Sequence, residues 1–273
     1  NGVVVYYHLP KLPDSVHVTL EIRDGAGDLV RSLTSKADDA FQSYAGGPDP
    51  EPVLGKAKGL NRFVWDMRYP TMAGAPTAYL EGSFRGHKAV PRTYTLTLKY
   101  GLQQTKAECK ILPNPLYNVT ADEYEDYHRF MRGMEQTLND MHSKLNKLYK
   151  TREQLEALLA DLGADSKLAS LKKTGAALVQ KMKTWDEEMI QRKSKAYDDV
   201  DNFENKFTAN FLFLINQTES DLPRVNKPNR DRHEELMKEW EKLNARALEM
   251  IERDVPAFST QLWDAGIGPV RVK

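Results

Sequence analysis

The chain is poor in cysteine, in net charge and in long apolar runs, and each shortage closes off a class of protein. One cysteine, Cys109, in 273 residues excludes an internal disulfide and any zinc site built on cysteines. Lys plus Arg and Asp plus Glu both number 39, so the formal net charge is zero, and neither half is strongly basic or acidic. A nucleic-acid or anionic-membrane surface needs a concentrated Lys/Arg patch, so neither partner is expected. The longest apolar run, near Phe211 to Ile215, is far below the ~20 residues that span a bilayer. There is no initiator Met and no signal peptide, and Asn1 leads almost directly into a strand pattern. A piece excised or processed from a longer protein is the expectation, and the missing signal is silent on compartment.

Familiar catalytic motifs are missing too. There is no Gly-x-Ser-x-Gly, no phosphate loop and no dinucleotide fingerprint, and Gly25-x-Gly27 reads as a hairpin turn. The six histidines, His8, His17, His87, His128, His142 and His233, show no zinc spacing and read as ordinary surface or partly buried imidazoles. Asp198-Asp199-Val200-Asp201-Asn202-x-Glu204 has oxygen ligands but lacks the Gly and spacing of a calcium loop, so it reads as a solvated interhelical loop. No cofactor and no metal are expected.

What is present divides in two. A composition 40% hydrophobic and 29% charged belongs to a globular protein with a sizeable core, and the length suits two domains at roughly 100–200 residues each. From Val3 to about Leu112 the text is strand-like. VVVYYHLP is followed by VHVTLEIRD, which alternates Val16, Val18, Leu20 and Ile22. Asp24 to Asp28 is a tight turn into LVRSL. Lys36–Lys58 and Thr71–Val90 read as long loops. Between them GLNRFVWDMRYP places Phe63, Trp65, Met67 and Tyr69 on alternate positions, which predicts a central core strand with Asp66 on the opposite face, exposed or paired with Arg62 or Arg68. TYTLTLKYG then turns at Gly101 into QTKAECKIL, where Cys109 reads as a buried strand thiol. Short strands with no helix between them predict an antiparallel β-sandwich over residues 1–113.

At Leu112-Pro113-Asn114-Pro115 the period changes to a helical one. Thr120 and Glu123 form a capping box. Tyr127, Met131, Met134, Leu138, Met141, Leu145, Leu148, Leu155, Leu159 and Leu162 follow heptad spacing, interrupted at Arg152. Long helices are expected over about 120–162, 166–193 and 229–253, with a shorter one over about 203–216. The first should stop at Gly163, and the last should continue past Pro256 through Phe258, Leu262 and Trp263 to Gly266. Residues 114–273 thus read as an up-down α-helical bundle, and the whole as α+β with segregated domains. The heptad seam would also suit a homo-oligomer.

These elements carry a resemblance. Tyr7-His8-Leu9-Pro10, Leu20-Glu21-Ile22-Arg23-Asp24 with Gly27, Val30 and Arg31, and above all Gly59 to Pro70, resemble the C-terminal region of secreted bacterial proteins with an N-terminal β-propeller of the sortilin or BNR-repeat type. That group is often labelled glycosyl hydrolase. Pro91 to Leu98 resembles its Pro-Gly-Thr-Tyr-Thr-Val-x-Leu strand with Arg92 in place of Gly, and Asp254 to Phe258 with Gly266-Ile267 resembles its closing segment. Asn114-Pro115-Leu116 stands where the group has Asp-Pro-Arg. The first third is also similar to the Ig-like domain of flagellar hook-capping proteins. The resemblance implies an Ig-like sandwich and an extracytoplasmic Gram-negative protein: periplasmic, outer-membrane-associated or secreted. The chain's own N-terminal β-propeller would be its partner, alongside a glycan or cell-surface protein. No catalytic residue is carried over, because the group's sugar chemistry would sit in the propeller.

Glycosidases need two carboxylates facing a sugar-sized cleft; Asp66 and Glu81 lie nearest the aromatic core, and nothing pairs them. Tyr44, Tyr69, Tyr79 and Phe84, in or beside the long loops, are candidates to stack on a pyranose, against the plainer reading that they pack the loops down. The reading reached is a non-catalytic structural or interaction module. Its alternatives are a region that completes a glycoside hydrolase site with the propeller and a carbohydrate-binding module.

Overall fold

The computed structural model describes residues 2–162, 168–219 and 223–268. The expected stop at Gly163, the start of the second helix near Ser166 and part of the Asp221–Pro228 break lie outside them. The described chain forms strands β1 (Val3–Leu9), β2 (Val18–Arg23), β3 (Leu29–Thr34), β4 (Gly59–Trp65), β5 (Thr93–Tyr100) and β6 (Gln103–Lys110). Helices α1 (Ala121–Asp161), α2 (Ala169–Met189), α3 (Phe207–Thr218), α4 (Lys227–Glu249) and α5 (Val255–Asp264) follow. The strands make two antiparallel sheets, β1-β4 and β3-β2-β5-β6.

Alternation dictates what each sheet buries. Val18, Leu20 and Ile22 of β2 and Tyr94, Leu96 and Leu98 of β5 are buried together with Tyr7 and Leu9 of β1 and Trp65 of β4 in one core. Trp65 meets Tyr94 edge to face at 5.4 Å. The β2–β3 turn forms where expected: one Asp24 carboxylate oxygen accepts the Ala26 and Asp28 amides at 3.0 Å each, and Gly27 has φ +89°. At that angle an L side chain is strained and glycine is not.

The strand expected at the centre of this core is not central. β4 pairs only with β1 and ends at Trp65. Its alternation continues in the letters but not in the backbone, because the Asp66 carboxylate takes the Arg68 amide (3.2 Å) and Met67 turns to φ +58°. Such a local side-chain turn competes with the ladder and ends it. Asp66 is not bound to Arg62 or exposed on its own; its oxygens pair with Arg31 (3.0 Å) and Arg85 (2.8 Å). Cys109 is half-buried at the margin of the core.

α1 starts on the expected box: Thr120 Oγ1 accepts the Glu123 amide at 3.3 Å, and Glu123 Oε2 accepts the Thr120 amide at 2.8 Å. The heptad residues from Tyr127 to Leu155 are buried against α2, α3, α4 and α5. α4 passes into α5 through a π-helical turn, Met250–Asp254. α5 ends on Gly266 (φ +75°), where the Gly266 and Ile267 amides donate to Trp263 and Leu262 carbonyls at 2.9 and 2.8 Å. This is the glycine stop expected there. Of the residues in this last helix, Phe258 and Leu262 are buried and Trp263 is 70% exposed.

The loop Thr71–Val90 gives only Ala89 to the core of the sheets. Met72, Ala75, Ala78, Leu80, Phe84 and Val90 are buried in the helical core with α1 and α3, although all precede the proline linker.

A close crossing tests this packing. A Cβ on Gly175 of α2 would lie 2.7 Å from both Leu159 Cδ2 and Phe258 Cζ. Helix propensity alone favours any side chain there by up to ~1 kcal/mol, whereas overpacking costs about 1–3 kcal/mol. Gly175→Val should therefore destabilise the protein by roughly 2 kcal/mol in urea unfolding. A neutral or stabilising result would contradict the crossing.

Candidate functional site: a polar seam along α1

Thr71–Val90 has little regular structure, so its buried peptide groups need partners from elsewhere. α1 supplies many of them. Beside its apolar heptads run two polar columns at seven-residue spacing, His128/Glu135/His142 and Arg132/Asn139/Asn146. Residues seven apart lie almost above one another on a helix, so the columns form a stripe facing the loop. Asn139 Oδ1 accepts the Ala73 amide at 2.6 Å, His142 Nδ1 meets the Ala73 carbonyl at 2.6 Å, and Asn146 donates to the Gly74 carbonyl at 2.9 Å. Farther along, Asn216 of α3 accepts the Ser83 amide (2.7 Å) and donates to its carbonyl (2.9 Å). The Tyr79 amide donates to Ser194 O at 2.9 Å, and Arg192 donates to Pro76 O at 2.9 Å.

The chemistry-bearing groups converge at one end of this seam. Glu135 Oε1 accepts both the backbone amide (2.6 Å) and Nδ1 (2.7 Å) of His87, while Oε2 accepts from Arg132 at 2.9 Å. His87 Nε2 lies 2.9 Å from His128 Nδ1, and His128 Nε2 lies 3.4 Å from the Tyr69 hydroxyl. One proton assignment serves every pair: Tyr69 O–H donates to His128 Nε2, His128 Nδ1–H to His87 Nε2, and His87 Nδ1–H to Glu135. Tyr69 stacks on His87 at 4.5 Å, and the Arg132 guanidinium lies 4.7 Å from the centre of the Tyr69 ring.

Electrostatics follow from burial and these partners. Burial pushes the Glu135 carboxyl up, but the hydrogen bonds from His87, with the Arg132 guanidinium, outweigh it and hold the group below its ordinary value. Burial, then the neighbouring His87, brings His128 down to about 4. Burial brings His142 down to about 4 against its bond to Ala73; its Nε2 has no partner among the described residues. Burial pushes Tyr69 up to about 12. A proton relay of this kind could pass charge from Tyr69 to Glu135. Yet His87, His128 and Glu135 line none of the three grooves described below.

Two charged ties flank the seam. Arg68 binds the Gly86 carbonyl (2.7 Å) and Glu219 at the end of α3 (2.8 Å). Arg92 reaches from Asp24 in the β2–β3 turn (2.9 Å) to Glu125 of α1.

The candidate sugar-stacking residues do not gather. Tyr69 and Phe84 are buried, the first between His87 and Arg132 and the second in the helical core. Neither offers a free face. Tyr44 and Tyr79 are half-buried; the Tyr44 hydroxyl lies under Gly74, and the Tyr79 ring lies over Gly46. Burial raises the Tyr44 phenol to about 12. Between the two long loops runs a groove of ≈ 530 Å³ lined by Phe41, Pro48, Pro50, Val53, Asp38, Asp49 and Glu51 among others. Glu51 is committed to Arg31 (2.6 Å) and the Thr71 amide (3.0 Å). Tyr117, Tyr124 and Tyr127 instead line a smaller crevice of ≈ 310 Å³ with Asn114, Lys88 and Glu219. Glu81 is exposed. Among the described residues no group of three or more His, Cys, Asp or Glu could hold a metal ion, and no helix is long and apolar enough to cross a membrane.

No family model, curated protein or solved structure matches the chain.

The seam makes a signed prediction. Below an unfolded value near 6.5, the unfolded chain binds protons that folded His128 and His142 refuse until about 4. Stability is therefore complete above about pH 6.5 and falls as pH drops toward 4. Unfolding temperature measured across that window should show the decline, and His142→Asn should flatten it. Glu135→Ala at pH 7, which strands the His87 amide and Arg132, should cost about 3–5 kcal/mol; a loss under 1 kcal/mol would refute the clamp.

Proposed function

We propose that this chain is a non-catalytic structural and interaction module, an Ig-like sandwich followed by a helical bundle, from an extracytoplasmic β-propeller protein of the type often labelled glycosyl hydrolase. One observation carries the non-catalytic part. The cluster that joins histidine, carboxylate and tyrosine has Tyr69, His87 and Glu135 buried and His128 half-buried, and it spends its hydrogen bonds on holding Thr71–Val90 to α1. A catalytic relay needs substrate within hydrogen-bond reach; a clamp needs burial. The resemblance of Gly59–Pro70 and its companions supports the propeller context, a Gram-negative extracytoplasmic location, and a propeller, glycan or cell-surface protein as partner.

A carbohydrate-binding role has one specific observation in its favour, the crevice where exposed Tyr117 stands beside Asn114 and Glu219, over a floor that includes buried Tyr124 and Tyr127. Aromatic faces beside a few polar groups are what a pyranose site requires. A hydrolase site shared with the propeller would use the groove between the long loops.

The purified chain should show no turnover across a panel of glycans, and full-length protein and a propeller-only form should have equal activity. Hydrolysis by the chain that one carboxylate substitution abolishes would overturn the module reading. Glycan retention lost on Tyr117→Ala would establish the crevice as the binding site.

A further inference from the structure

The two sheets are unequal, and the inequality leaves a slot. Four strands lie in one sheet and two in the other. On the β3 side the shared core is closed by the loop that brings in Leu54, and Val30 and Leu33 are buried. On the β6 side nothing closes it among the described residues. Thr105 and Ala107, opposite Leu98 and Leu96 in the ladder and so on the same face, are exposed. Val3 and Val5 of β1 are only half-covered. Between β1 and β6 runs a groove of ≈ 380 Å³ floored by Leu20, Leu96, Leu98, Thr105 and Ala107.

The wall of this groove is a free strand edge. β1 pairs with β4 alone, so the N–H and C=O groups of alternate residues point away from β4 into the slot. Natural edges are guarded by lysine, proline or a bulge. β1 reads VVVYYHL and has none of these, with Val4 45% and Tyr6 62% exposed on its outer face. β6, by contrast, carries Lys106, Glu108 and Lys110.

We propose that this slot accepts one extended strand from a partner protein, which adds to the β1 edge and lays its apolar side chains on Leu96, Leu98 and Ala107. The inference rests on reading the chain as an interaction module and names the chemistry of its partner. A row of unpaired backbone groups beside an apolar floor is matched by a strand with alternating apolar side chains, as in β-strand addition. The lining contains His8 and Lys106 and no carboxylate, so the incoming strand carries acidic residues at the rim. A second copy fits less well. β6 extends beneath the slot, where a second copy's own sheet, underlying its β1, would have to lie.

A phage-displayed library of random linear peptides, panned on the intact chain, tests this. The peptides recovered should alternate apolar with polar or acidic residues, and should slow amide exchange in β1. N-methylation of alternate backbone amides should abolish binding, and Ala107→Arg should weaken it roughly tenfold or more. Thr105→Lys serves as a second block should Ala107→Arg not fold. Recovered peptides that bind both variants unchanged, peptides that protect no β1 amide, or a library yielding no slot-dependent binder would overturn the proposal. So would a dimer in sedimentation that Ala107→Arg dissociates, since the occupant would then be a second copy. Glycan turnover by the chain would refute the module reading without touching this result.

Discussion

The Glu135 carboxylate beneath His87 is the contact on which the arrangement of this molecule depends. A segment with little regular structure, Thr71–Val90, crosses the helical face with its peptide groups turned inward. Burying such groups unpaired costs about 1–3 kcal/mol each, so the segment stays down only because α1 and α3 answer it group by group. Glu135 answers two donors of one residue, and Arg132 answers Glu135. Asn139, His142 and Asn146 repeat the arrangement along the helix. With the segment fixed, Phe84, Leu80 and Met72 fill the helical core, and Arg68 and Arg92 hold the sheets beside it. Sheet and helix positions are coupled through this loop.

Much of this was readable where a local rule sufficed. Thr120 and Glu123 announced the start of α1, Asp24 with Gly27 the β2–β3 turn, and Gly266 the end of α5, because each acts on residues within one turn of itself. The heptads from Tyr127 to Leu155 announced the buried face. What was misread needed a competitor to be weighed. The alternation of Phe63, Trp65, Met67 and Tyr69 is real in the letters, but a carboxylate two residues before Arg68 captured its amide and ended the strand. The polar columns on α1 also have a visible period of seven. A polar stripe beside an apolar seam ordinarily faces water, and only the position of Thr71–Val90 shows that this one faces backbone. For the same reason nothing in their spacing marks His87 and His142 as the fully buried imidazoles they are. The burial of Arg31 between Glu51 and Asp66 joins residues far apart in the chain, and no spacing rule reaches that distance.

A histidine–histidine–tyrosine chain ending on a carboxylate invites a catalytic reading, and the direction of its pKa shifts favours the structural one proposed above. Catalytic acids and bases are tuned toward the working pH. Here the environment moves the other way: desolvation takes His128 to about 4 and Tyr69 to about 12, so each holds one protonation state across the neutral range. A group that does not change state near neutrality is a fixed donor or acceptor. Fixed donors and acceptors suit a clamp whose geometry should not vary with modest changes in pH.

The two sides of the sheet region then follow opposite rules. Toward α1 the charged ties are directional and paired: Arg68 with Glu219, Arg92 with Asp24 and Glu125. Toward β6 the surface is apolar and its strand edge is unpaired. An edge as regular as VVVYYHL can template pairing with any extended chain, and evolution removes such edges with a single lysine or proline when they have no use. The neighbouring edge, β6, is charged. The difference between these rims lies in sequence rather than in exposure, since both face solvent in the isolated chain. An unguarded edge beside a guarded one, over a floor already lined with leucine, is the pattern expected where a strand is meant to be received.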